Sequence, residues 1–441
     1  MADLATQYQQ EGSTAVVGDV AVGAVPRSAG LIAPEVLGIP GAAEDPEEPE
    51  HPEAPADAGA DAPTGRLTPC RPPLPPHLRG PLGRARALLA AHPVVDGCNG
   101  LPWALRQHTG RNRKPGHRLA LDRGETRVRT DIPRLRAGGV GGQFWSLQVP
   151  SELTGAPAAE ATLAQIRLVR ALVRSYPDAL RLALCADDVT EAHHHGRIAS
   201  LLGPASGHAL DSSLDVLRTF HRRGVRALEL TGDHNTPWAD SATDEPKAGG
   251  LTPFGEEVVR EMNRLGMLVD LSAGSADTMR HALAVSRAPV FWCQAAARSV
   301  TDHPRNIPDE VLAQLARNGG VCMVTFRPER IVCGTAPASV QHIADHLDHV
   351  RAVAGPDHVG LGAGFDTDPA TVHRSPLPDV AGYPQLIAEL IDRGWSFRDL
   401  AGLTRGNALR ALRGAEAAAR SLRGRRVPSK ATIERLDGAR V

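Results

Sequence analysis

The sequence predicts an α/β fold built on a parallel sheet, and three observations carry that reading. From Arg79 onward, short aliphatic runs alternate with amphipathic stretches, the texture of strands joined by crossover helices. The segment VVDGCNGLPW, from Val94 to Trp103, reads as a buried strand breaking into a Gly-rich turn, where α/β proteins place their chemistry. With 441 residues, 42% hydrophobic and 22% charged, the chain can bury one large core.

The predicted strands, in order, are Val94 to Asp96, Val140 to Val149, Leu182 to Cys185, Ile198 to Leu202, Val225 to Thr231, Met267 to Ser272, Val290 to Cys293, Val321 to Phe326 and Val359 to Gly362. Amphipathic stretches between them predict helices over Ala158 to Arg174, Asp211 to Arg223, Pro253 to Leu265, Ser275 to Ser286, Pro308 to Arg317 and Val340 to Val353. Nine strands are one more than a (β/α)8 barrel uses. Periodicity alone does not separate a barrel from an open sheet.

Residues 1–78 predict a disordered extension. The stretch from Glu44 to Pro63, EDPEEPEHPEAPADAGADAP, holds almost nothing apolar enough to offset the entropy of ordering. Pro72, Pro73, Pro75 and Pro76 read as a stiff linker, with P-x-x-P docking on an SH3-like groove as the lesser reading. Residues 79–420 form the predicted domain, and residues 421–441 a basic, polar tail.

Lys and Arg number 49 against 50 Asp and Glu, so no global charge favours nucleic acid or a membrane surface as partner. A signal peptide, a membrane span and a lipid-anchor signal are not legible, and the expectation is a cytoplasmic protein. Six dispersed cysteines, Cys70, Cys98, Cys185, Cys293, Cys322 and Cys333, include no Cys-x-x-Cys pair and read as free thiols.

VVDGCNGLPW resembles the opening of the renal (membrane) dipeptidases, zinc peptidases on a TIM barrel whose first strand ends in D-G-H-N-D-L-P-W. Similar family segments recur at Thr130 to Pro150, Ser206 to Ser213, Asn235 to Asp240, the run ending at Ser272, Asp302 to Asn306 and Ile343 to Val350. The resemblance covers about Leu88 to Leu412 and implies a (β/α)8 barrel with its chemistry at the C-terminal strand ends.

It also implies five zinc-ligand positions, all of them changed. The His and Asp of the first motif stand here as Cys98 and Gly100. The bridging Glu of E-G-G-H is Ala205, the His of D-L-S-H is Ala273, and the His of F-S-H-S-S is Gln294. Two positions nearest the reacting peptide become Gly232 and Gly364. Arg305 of DHPRN remains, and the resemblance implies that it steadies a ligand carboxylate. Secreted relatives imply a disulfide half at Cys333; its partner position is Thr301 here.

Gly and Ala offer no donor atom, and a Gln amide is a poor substitute for imidazole at zinc. The expectation is therefore a dipeptidase-family protein that has lost zinc and peptidase activity, with no cofactor. Its ligand would be a small carboxylate or a protein partner, and family analogy suggests a homodimer. The alternative is an active zinc-dependent hydrolase of dipeptides using a rebuilt site, in which Cys98 joins two of His208, His234, His303, Asp270, Asp302 and Asp366. Cys98 as a nucleophile is a further option, against the simpler reading of a plain thiol. His193, His194 and His195 read as an exposed turn, and Asp302 as a helix N-cap.

Overall fold

The computed structural model describes residues 80–111, 120–125, 127–334, 336–368 and 375–438. The Pro-rich extension and Cys70 lie outside these residues.

Among the described residues ten strands form one parallel sheet: β1 (Val94–Asn99), β2 (Val140–Trp145), β3 (Leu180–Leu182), β4 (Ile198–Leu202), β5 (Ala205–Ser206), β6 (Ala227–Glu229), β7 (Leu268–Asp270), β8 (Phe291–Ala295), β9 (Val321–Val324) and β10 (Val359–Leu361). Their order is β3-β4-β2-β1-β10-β9-β8-β7-β6-β5. The two ends meet. β4 and β5 are consecutive pieces of one strand line interrupted at Gly203-Pro204, and Leu202 bridges Val225, just ahead of β6. Arg226 N donates to Leu202 O at 2.9 Å, and Ala205 and Ser206 register with Leu228 and Glu229. The sheet thereby closes into a barrel of eight strand lines. The additional strand is β3, paired with β4; the run predicted at Leu182 to Cys185 meets it at Leu182 alone, because the residues after it lead into the helix Ala186–His194, which Cys185 caps.

Strand residues are buried on both faces, as a parallel sheet between a core and an outer helical layer requires. The interior is a packed core. Phe144 on β2 and Phe291 on β8 approach to 5.6 Å between ring centroids although their strands are not neighbours, a contact that runs through the barrel. Cys98 of β1 and Cys293 of β8 meet in the same way.

Helices start where the sequence supplies caps. The Thr252 side chain accepts from Gly255 N with Pro253 in the first turn, and the helix Pro253–Leu265 ends on Gly266 at φ 77°, a conformation that favours glycine. Ser213 and Ser275 cap Leu214–Arg222 and Ala276–Val285. Pro308 to Arg317 is two single turns, Asp309–Leu312 and Leu315–Asn318, rather than one helix. The first is preceded by Pro308, so Asp302 is a loop residue and caps no helix. His193 and His194 end the helix Ala186–His194 instead of forming a turn, and His195 lies on the exposed turn that follows.

Beyond the helix Asn407–Leu422 the basic tail lies on Pro253–Leu265. Arg426 pairs with Glu257 at 2.5 Å, and Asp437 Oδ1 accepts from Phe254 N at 2.9 Å. Among the described residues no helix is long and apolar enough to cross a membrane.

Candidate functional site

A cavity of about 1030 Å³ opens at the C-terminal ends of the strands. Ser146 and Gln148 follow β2, Ser206 and His208 lie on and after β5, Glu229 and Gly232 on and after β6, and Gln294 on β8. Arg305, Arg327 and Asp368 reach it from later loops. Parallel strands all point their carboxyl ends to this rim, so residues far apart in sequence share one mouth.

Of the eight positions singled out from sequence, Gly232, Gln294 and Arg305 line this cavity. Gly232 has open space where a Cβ would stand, and the Gln294 Oε1 atom is buried without a hydrogen-bond partner. The Arg305 guanidinium pairs with Asp233.

The other five are packed away. Cys98 is 1% exposed in the barrel interior, and Ala205 and Ala273 are fully buried. Gly100 N donates to Phe365 O at 2.7 Å, and a Cβ on Gly100 would stand 2.4 Å from Asp366 O. Gly364 adopts φ +72°, and its Cβ would lie 3.1 Å from Gln294 Oε1. A side chain at Gly100 has no room unless the Phe365–Thr367 backbone moves.

Of the six polar candidates for a rebuilt centre, His208 and His234 line the cavity, and His303, Asp270, Asp302 and Asp366 lie outside its lining. His208 lines the cavity, and burial keeps its pKa below the ordinary value. His303 accepts from Arg305 N at 3.1 Å, and burial followed by the charges of Arg330 and Arg305 lowers it to about 4. His234 is exposed beside Asp244. Asp270 Oδ1 accepts from Ser272 Oγ at 2.5 Å and from the Ser272 and Cys293 amides, while Asp366 Oδ1 accepts from Arg129 N at 2.8 Å. Among the described residues no three His, Cys, Asp or Glu side chains converge as a metal site. Cys98 has a thiol, Cys293, as its neighbour.

The free thiols read from the sequence are present in the fold: Cys98, Cys293 and Cys322 are buried, Cys185 is half-buried and Cys333 exposed. Thr301 faces His346 Nε2 at 3.2 Å.

The reading of the sequence missed Glu229, Arg327 and Arg330. Glu229 ends β6 in register with Asp270 of β7. Burial and then the Asp270 charge push its carboxyl well above the carboxylate range, against the pull of Arg305 and Arg330. Arg330, 2% exposed, donates from Nη1 to Gln294 O at 2.6 Å, and burial lowers its pKa to about 9. A signal for Glu229 was visible: it is a charge interrupting the aliphatic run Val225 to Thr231.

A closed parallel barrel with a polar cavity at its C-terminal rim has the architecture of a barrel enzyme. The profile of the membrane dipeptidases, peptidase family M19, matches residues 82–426, and the chain belongs to that family. Dipeptidase 3 of Macaca fascicularis is 44% identical over 338 residues, 76% of this chain and 67% of that protein. Dipeptidase 3 of Homo sapiens is 42% identical over 341 residues, 76% of this chain and 67% of that protein. Dipeptidase verJ of Clonostachys rogersoniana is 40% identical over 343 residues, 75% of this chain and 86% of its own length. The chain spans about two thirds of the dipeptidase 3 relatives. The crystal structure of the probable dipeptidase PvdM from Pseudomonas aeruginosa shares the fold, with TM-score 0.68 at 22% identity over 77% of this chain and 99% of that one.

Proposed function

We propose that this chain is a member of the dipeptidase family that does not assemble the family's two-zinc centre and instead uses the barrel-mouth cavity to bind a small carboxylate ligand. The observation that carries the reading is Gly100, a ligand position in the family, packed so closely on Asp366 O that a carboxylate there requires the 365–367 backbone to move. Ala205 and Ala273 have no donor atoms, and Gln294 offers an amide where zinc takes imidazole. This donor set does not fit two divalent cations, which need several anionic ligands to balance them. Arg305 gives the cavity its carboxylate-recognising group, and Arg327, also in the lining, is paired with Glu329 and Asp368.

A second reading, an active zinc dipeptidase with a rebuilt centre, is favoured by the family match and by relatives that carry the name dipeptidase. Metal content separates the two. Elemental analysis of purified protein, followed by a dipeptide hydrolysis assay with added Zn²⁺, is expected to give under one equivalent of metal and no turnover. Tightly held zinc with chelator-sensitive hydrolysis would sink the first reading in favour of the second.

A further inference from the structure

The cavity has acceptors without donors. Among the described residues the Glu229 carboxylate forms no hydrogen bond, although it faces Asp270, Asp233, Arg305 and Arg330 electrostatically. Gln294 Oε1, on the same cavity wall, is buried and unpartnered. Asp270, fully buried beside Glu229, uses Oδ1 three times and leaves Oδ2 unpartnered. Gln294 Oε1 and Asp270 Oδ2 need a donor from somewhere, and the Glu229 carboxyl, half-buried at the cavity wall and crowded by the Asp270 charge, is stabilised as an anion by a cation beside it.

Arg330 does not meet that need. Its Nη1 is committed to the Gln294 carbonyl, and the net effect of its surroundings still leaves Glu229 disfavoured as an anion. Arg305 is held by Asp233, whose side chain is 68% exposed and free to yield to a ligand carboxylate. One cavity thus offers an anion-recognising guanidinium and, apart from it, a carboxyl and an amide oxygen lacking donors.

We infer that Glu229 and Gln294 receive a primary ammonium group while Arg305 holds a carboxylate, making Glu229 a specificity-determining residue that selects amino-acid-type zwitterions. The inference rests on the carboxylate-binding reading above and adds the second charge. The ammonium donates to Glu229 and to Gln294 Oε1, and Glu229 ionises as it binds. Neutral or N-blocked carboxylates leave those acceptors unsatisfied and bind more weakly.

Isothermal calorimetry on the full chain tests this with L-leucine, L-Leu-Gly, and the N-acetyl and C-terminal amide form of each. The parent compounds are expected to bind at least tenfold more tightly than either blocked form. Glu229→Gln should abolish discrimination against the N-acetyl compounds yet keep discrimination against the amides, and Arg305→Ala should do the reverse. These are ratios within one variant, so a loss of stability common to all ligands does not mimic them. N-acetyl compounds binding as tightly as the parents, with amides still rejected, would overturn the ammonium assignment and leave the carboxylate reading standing. Binding by none of the six compounds overturns both.

Discussion

The Tyr383 hydroxyl donates to Asp96 Oδ2 at 2.6 Å, tying the first strand to the helix Tyr383–Asp392 outside the barrel. Asp96 Oδ1 accepts from the amides of Cys98 and Ala363, at 3.1 and 3.0 Å, so one fully buried carboxylate joins β1, the end of β10 and the outer layer. Replacing Tyr383 by Phe leaves a lone pair unsatisfied in a dry site. A loss of about 1–3 kcal/mol in urea unfolding is expected. An unchanged midpoint would show that the bond contributes nothing net.

Burial raises the Asp96 pKa from 3.8 to about 6, against the hydrogen bonds from Tyr383, Cys98 and Ala363. Between those values the folded protein holds a proton that the unfolded chain has released. Its contribution to stability is therefore present below pH 3.8 and is lost as pH rises through about 6. The difference in unfolding free energy between the parent and Asp96→Asn is expected to shift by roughly 2 kcal/mol in favour of the variant from pH 4 to pH 7. Parallel curves for the two proteins would refute the assignment.

Restoring an acid at the first-strand motif should not restore a metal. The added side chain of Gly100→Asp meets the backbone of Asp366 and Thr367. A destabilisation of about 1–3 kcal/mol is expected, with no gain in bound zinc on elemental analysis. Stoichiometric zinc in this variant would mean that the 365–367 segment yields easily.

Ammonium binding should depend on pH with a definite sign. Glu229, raised by burial and Asp270 and opposed by Arg305 and Arg330, is protonated near neutrality and must ionise to hold a cation. Affinity for L-leucine should rise with pH by up to about tenfold per unit, with a proton released to buffer, and level off above the Glu229 pKa. Glu229→Gln should remove this slope. Calorimetry in buffers of different ionisation enthalpy counts the proton directly.

Arg330 and Glu229 should be coupled in stability. Once Glu229 is ionised, above neutrality, Arg330→Ala leaves the Gln294 carbonyl without its donor and the Glu229 carboxylate without a neighbouring cation, a loss of about 3–5 kcal/mol. In the Glu229→Gln background the loss should be smaller by at least about 0.5 kcal/mol. Additivity in thermal or urea unfolding would place the two groups in separate environments.

Much of the barrel was legible because it rests on local pattern. Aliphatic runs marked eight of the ten strands and touched β3 at Leu182 alone, and the amphipathic stretch Pro253 to Leu265 matches one helix to the residue. β5 escaped because two residues carry no periodicity, and the break of Pro308–Arg317 into two turns is a matter of packing that helix-like spacing does not encode.

The sequence by itself determined the strand and helix alternation, and the residue types at the positions where the family places its ligands, since a missing donor atom is a property of the side chain alone. Only the tertiary structure decided which of those positions face the cavity. Gly100 and Gly232 are alike in sequence, yet one is closed by the carbonyl of a segment more than 260 residues away and the other opens on free space. The same closure set Glu229 beside Asp270 and Arg330. Burial and charge act through space, and space is assigned only when the sheet closes.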